Sequence, residues 1–109
     1  MAQRSPVRLT MSYKVPSTRK AYRVLTREVG DDGLSFVSEQ PLDQNDLLEA
    51  ELILPDRPAP IVFSAQVRFC QPATGGKDFH VDVRFTTIDP KHLALIKQFV
   101  AVNAIIPPM

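Results

Sequence analysis

The stretch Thr26-Arg27-Glu28-Val29-Gly30-Asp31-Asp32-Gly33-Leu34-Ser35-Phe36-Val37 decides how the chain is read. It is the end of one strand, an acidic glycine turn, and the start of another strand. Gly30 and Gly33 bracket Asp31 and Asp32, which predicts positive φ at little steric cost and backbone N–H groups exposed in the turn. Leu34 and Phe36 then alternate with Ser35 ahead of Val37, the period of a half-buried strand.

The same period extends to both sides. Val7, Leu9, Met11, Tyr13 and Val15 alternate with polar residues, predicting a strand over 7–15. Pro16-Ser17-Thr18 breaks it, and a second strand is expected from Arg19 to Val29. After the turn comes a strand over 34–38, then a polar connector from Pro41 to Asp46. Leu48, Ala50, Leu52 and Leu54 alternate with Glu49, Glu51 and Ile53; Leu, Glu and Ala also suit a helix, but the flanking prolines favour a strand. Ile61 to Cys70 and Phe79 to Thr86 alternate around Thr74-Gly75-Gly76-Lys77, a hairpin signature.

Asp89-Pro90 is a helix start, an N-cap followed by proline at the first helical position. Leu93, Ile96, Phe99 and Val100, widened by Leu95 and Val102, form a helical stripe over 90–103 that Asn103 and the Pro107-Pro108 pair bring to an end. The expected fold is all-β with one C-terminal helix: a six-stranded antiparallel, Greek-key-like barrel with the helix over an open side or end. Residues 1–6 are expected to be a flexible arm, 7–103 the barrel and helix, and 104–109 an apolar tail that folds back on the barrel or presents a docking surface.

Composition sets the limits. The 109 residues make one domain with 44% hydrophobic and 23% charged residues, ordinary globular values. A net charge of +1 gives no global electrostatic case for nucleic acid or an anionic membrane. The single Cys70 fits a reducing compartment. No run reaches the roughly 20 apolar residues that span a bilayer, and Met-Ala-Gln-Arg-Ser-Pro lacks the apolar centre of a secretion signal. A cytoplasmic location is expected.

The order Glu28, Val29, Gly30, Asp31, Asp32, Gly33 followed by Leu-Ser-Phe resembles the second signature of the PilZ domain family, Asp/Asn-x-Ser-x-x-Gly before an apolar strand. Glu28 falls on the acid or amide position, Gly30 on the Ser position and Gly33 on the Gly position, so two of the three depart from the pattern. The family's six-stranded barrel with a C-terminal helix agrees with the periodicity, and His80-Val-Asp-Val-Arg-Phe85 resembles its closing strand. The resemblance runs from about Arg4 to Val102.

That resemblance implies a bacterial receptor for cyclic di-GMP, with an Arg-x-x-x-Arg first signature about twenty residues before the turn. Arg4-Ser-Pro-Val-Arg8 fits, with Arg8 twenty positions ahead of Glu28. Arg19-Lys-Ala-Tyr-Arg23 has the same letters but lies inside the second expected strand, and takes second place. Arginine suits the task because its rigid fork stays charged, pairs bidentately with phosphate and reads guanine O6 and N7. Against binding, Glu28 extends the acceptor by a methylene and Gly30 removes a hydroxyl. Asp31 and Asp32 add charge near the ligand phosphates, at about 1 kcal/mol per pair for 4 Å in water. A lost hydrogen bond to a charged partner costs roughly 1.5–3 kcal/mol.

Two functions follow from the resemblance: an adaptor that binds cyclic di-GMP and signals by ordering its N-terminal Arg4–Arg8 arm over the acidic turn, altering the surface shown to a protein partner, or a degenerate member that works through protein contacts alone, in motility or secretion. A third, from a different class, is a small RNA-binding barrel using Tyr22 with Arg19, Lys20, Arg23 and Arg27. His80 and His92 lack the neighbours of a metal site, Cys70 falls on the polar side of its strand without an activating base, and no catalytic set is evident. The expectation is no enzyme, no metal and no cofactor.

Overall fold

Each expected strand forms where side-chain alternation separates an inward apolar row from an outward polar one. The computed structural model describes residues 4–55 and 57–105. Its elements are β1 (Arg4–Pro6), β2 (Thr10–Val15), β3 (Lys20–Gly30), β4 (Gly33–Ser38), β5 (Leu47–Leu52), β6 (Ile61–Pro72), β7 (Phe79–Ile88) and α1 (Pro90–Ile105). All pairings are antiparallel, and β3-β2-β5-β6-β7-β4 closes back on β3 as a six-stranded barrel. The expected fold class is the observed one.

β1 is an addition to that scheme. Residues 4–6, expected in a flexible arm, pair with the C-terminal end of β3, Arg4 opposite Gly30 and Pro6 opposite Glu28. The strand expected over 7–15 is therefore divided. Thr26 causes the division: its hydroxyl accepts from the Leu9 N–H at 2.9 Å and donates to the Val7 carbonyl at 2.7 Å, replacing regular ladder bonds. Three residues, 7–9, span what two span on β3, which bulges between Thr26 and Glu28. Pro6, with no N–H to give, closes β1.

The core is the inward row of every barrel strand, with Tyr13, Phe36, Met11, Leu34, Leu48, Leu52 and Ile61 fully buried. Burying a large apolar side chain stabilises by about 1.5–3 kcal/mol. β5 settles the strand-or-helix question: its burial strictly alternates, and Leu48, Ala50 and Leu52 face Ala65, Phe63 and Ile61 of β6. β6 and β7 form the expected hairpin, and Gly75 and Gly76 take φ of 102° and 79° in its turn.

Asp89 caps α1, its Oδ1 accepting the Lys91 N–H at 2.8 Å. Ile96 and Val100 are buried in the core, and the helix lies against β1 and β3. It continues to Ile105 rather than ending at 103, and Val102 is exposed, so the apolar stripe is narrower than expected. Residues 106–109 of the expected apolar tail lie outside the described residues. No helix among the described residues is long and apolar enough to cross a membrane.

Bulges correct two further expectations. The register shift between Val67 and Phe69 turns Phe69 outward, 44% exposed, and packs Cys70 against the core instead of on the polar side. Neither Gly30 nor Gly33 takes positive φ. The acidic turn is a plain two-residue connection, and Gly33 answers a different need: a Cβ there would overlap the Val83 carbonyl oxygen and stand 2.8 Å from Arg84 Cα. Its missing side chain lets β4 close on β7.

Candidate ligand-binding face

On β3 the residues Glu28 and Gly30 share the barrel's outer face, because Val29 between them is buried. Register brings β1 onto the same face: Arg4 stands opposite Gly30 and Pro6 opposite Glu28, while Ser5 turns inward. On the other side of β3, Ser35 of β4 pairs with Glu28 and in turn with Asp82 of β7. Arg4, Gly30, Glu28, Ser35 and Asp82 thus belong to one outward patch drawn from four strands.

Arg4 dominates that patch. It faces a residue without a side chain, so its guanidinium reaches across to two carboxylates. Nη1 donates to Asp82 Oδ2 at 2.6 Å and Nη2 to Asp82 Oδ1 at 3.4 Å. Nε donates to Asp32 Oδ1 at 3.2 Å and Nη2 to Asp32 Oδ2 at 3.4 Å. The Arg4 and Asp82 side chains are only 17% and 12% exposed, which keeps solvent screening low; Asp32 is 33% exposed. Burial pulls the Arg4 pKa down, but hydrogen bonds and Coulomb attraction to Asp82 and Asp32 outweigh it, and the net shift is upward. The guanidinium stays charged and engaged.

Arg8 goes elsewhere. It is exposed and lines a shallow depression of about 280 Å³ with Leu25, Arg27 and Val37. Arg27, the bulged residue of β3, sends Nη1 to His80 Nδ1 at 2.6 Å. Since arginine can only donate, His80 Nδ1 is the acceptor of that contact. The candidate residues therefore divide: Arg4 and Gly30 meet at the acidic turn, Arg8 borders the neighbouring depression, and the exposed Glu28 lies between them on β3. Gly33 is buried under β7 and serves packing.

Three contributors were not read from the sequence as residues of this face. Asp82 lay in the segment that resembles the closing strand, a carboxylate between the core valines Val81 and Val83. His80 and Arg27 meet across β4, which no spacing announces. Beyond the turn an open cleft of about 720 Å³ lies among Asp32, Gln66, Arg68, Arg84 and Phe85. There Arg68 Nη1 stands 3.9 Å from Asp32 Oδ2, and Gln66 Oε1 holds Arg84 at 2.8 and 3.2 Å.

The basic cluster around Tyr22 is taken apart by the strand. Tyr22 turns toward the core, its ring 5.3 Å from that of Tyr13, while Arg23 faces solvent on the opposite side. Arg19 sits in the β2–β3 turn at φ 59°. No group of residues able to hold a metal ion occurs among the described residues.

A barrel of this order, carrying an Arg-x-x-x-Arg ahead of an acidic turn, agrees with comparison to known families. The model of the PilZ domain matches residues 1–102. The chain belongs to the PilZ domain family. Solved structures agree on the fold. The inhibitor of motility MotI/DgrA of Bacillus subtilis superposes with a TM-score of 0.83 at 14% identity, covering 95% of this chain and 50% of that one. The MrkH–c-di-GMP complex of K. pneumonia gives 0.77 at 14% identity, covering 92% and 50%. The PilZ domain with c-di-GMP of YcgR from Escherichia coli gives 0.70 at 10% identity, covering 95% and 88%. This PilZ domain spans about half the length of the first and second of these. No curated protein matches the chain.

Proposed function

We propose that this PilZ domain is a cytosolic signalling adaptor whose ligand face is the outer surface of β1, β3 and β4, with cyclic di-GMP as ligand and a protein as downstream partner. The observation that supports this reading is the register of β1 on β3, which puts Arg4 opposite Gly30 and Pro6 opposite Glu28, with the exposed Arg8 two residues beyond β1. Two arginines and an exposed acid offer a fork for phosphate or guanine and an acceptor for the guanine edge. Support also comes from two structural neighbours whose names include c-di-GMP. The reading is of a binding module rather than an enzyme.

One observation favours the second reading, a domain that works through protein contacts alone. The Arg4 fork is already engaged by Asp32 and Asp82. A calorimetric titration with cyclic di-GMP, with cyclic di-AMP and GTP as controls, separates the two. Selective low-micromolar binding, lost in Arg8→Ala, is the expected outcome for a receptor. Silence at high concentration leaves the protein-contact reading, and unchanged affinity in Arg8→Ala removes that residue from the site.

A further inference from the structure

The Arg4 cluster does more than occupy one arginine. Successive residues of a strand point to opposite faces, and β1 uses both. Arg4 grips Asp32 and Asp82 on the outer face. Ser5, 2% exposed, points inward and donates from Oγ to the Val100 carbonyl of α1 at 3.2 Å. Among the described residues β1 is three residues long and pairs with β3 as Arg4–Gly30, Ser5–Val29 and Pro6–Glu28, with one more backbone bond from the Val7 N–H to the Arg27 carbonyl at 2.9 Å. So short a strand gains little from its own ladder; the side-chain attachments at its two faces contribute much of its hold. Outside it is an ion-pair clamp, inside a link to the helix.

We propose that Asp32 and Asp82 form an internal latch: they occupy the Arg4 fork in place of an anionic ligand, hold β1 on β3, and through Ser5 fix the last turns of α1. The inference rests on the reading of Arg4 as a ligand arginine for its opening step, but the latch itself does not. An arriving phosphate must replace two carboxylates, so the latch sets the affinity of the face. When Arg4 leaves, β1 loses its outer anchor, and the Ser5–Val100 contact passes the change to α1. Gly30, the β3 partner of Arg4, brings no side chain of its own to that position. Phe69, 44% exposed, is the cross-strand partner of Asp82.

The test combines amide hydrogen exchange by NMR with calorimetric titration of cyclic di-GMP on the full chain. The proteins are wild type, Asp82→Asn, the Asp32→Asn/Asp82→Asn pair, and Arg4→Gln. Both kinds of substitution should speed exchange at Ser5 and in the last turn of α1, on the order of tenfold for each charged hydrogen bond lost. The remaining barrel amides should keep their protection, which guards against simple unfolding. Only the aspartate variants should bind nucleotide more tightly, by tenfold or more, because Arg4→Gln removes the ligand's partner as well. Unchanged exchange at Ser5 and Val100 in all variants overturns the latch. Faster exchange with equal nucleotide affinity in wild type and the aspartate variants overturns the competition. Faster exchange with no nucleotide bound by any form upholds the latch between β1 and α1 and refutes the cyclic di-GMP reading instead.

Discussion

Replacing Gly33 by alanine adds one methyl group where the barrel has no room for it. The new Cβ would overlap the Val83 carbonyl oxygen and lie 2.8 Å from Arg84 Cα, and both obstacles are backbone. A flexible side chain could swing aside; a strand of a closed barrel cannot. β4 must therefore move off β7, weakening a register that runs from Gly33–Arg84 to Ser38–Phe79 and includes the fully buried Leu34 and Phe36. Overpacking of a core costs about 1–3 kcal/mol, and the upper end applies because backbone must yield. At roughly 4–8 °C per kcal/mol for a domain near this size, about 3 kcal/mol lowers Tm by something like 12–24 °C.

Gly75→Ala is the matched control. Its Cβ meets nothing within 4 Å, but its φ of +102° is one that side chains rarely adopt, so the expected loss is about 1 kcal/mol. Urea denaturation of the three proteins, with circular dichroism to check the fold, gives the comparison. A Gly33→Ala protein within about 0.5 kcal/mol of wild type would refute the argument, since a Cβ at that spot would then have been accommodated by movement the closed barrel should resist. It would also return Gly33 to consideration as a residue of the signature whose Gly position it occupies.

Two further predictions concern Tyr13 and the altered motif. Burial raises the Tyr13 pKa above its ordinary value of 10, with the hydrogen bond to Ser38 opposing. The folded protein thus keeps a proton that the unfolded chain releases, so the stability tied to this tyrosine is intact below about pH 10 and lost as the pH rises beyond it. Tyr13→Phe should cost about 1 kcal/mol at pH 7, with the gap to wild type closing by pH 11; urea curves that stay parallel from pH 7 to 11 would contradict this. Glu28→Asp with Gly30→Ser restores both departures from the PilZ pattern and places a hydroxymethyl opposite Arg4. The titration should show cyclic di-GMP affinity rising at least tenfold, and no gain would mean that the outer face of β3 does not meet the ligand.

Much of the fold was legible because alternation in a barrel is written locally. Residues 61–70 and 79–86 announce a hairpin without help from the rest of the chain, and Asp89-Pro90 announces a helix start. What the letters did not show was where the alternation slips. The bulge at Val67–Phe69 reversed Phe69 and Cys70, and Thr26 divided the first strand by offering its hydroxyl where a backbone group was due. Both are events between strands, decided by which residue of a partner comes alongside. A single strand carries no record of its partner's register.

The site was less legible for the same reason, carried further. Arg4 and Asp82 are 78 residues apart, and their meeting depends on β1 joining β3, β3 joining β4, and β4 joining β7. The motif letters pointed to this face and described it as an arginine arm beside two repelling aspartates. The register changes the sign of that description for Arg4: Asp32, read from the sequence as a charge that hinders a ligand, is one of the groups that holds the arginine. The same carboxylates both stabilise β1 and oppose phosphate at Arg4, so stability and affinity are coupled at this face. Any substitution that neutralises Asp32 or Asp82 should move the two in opposite directions, and a change in which both rise or both fall would show that the pair does not act through Arg4.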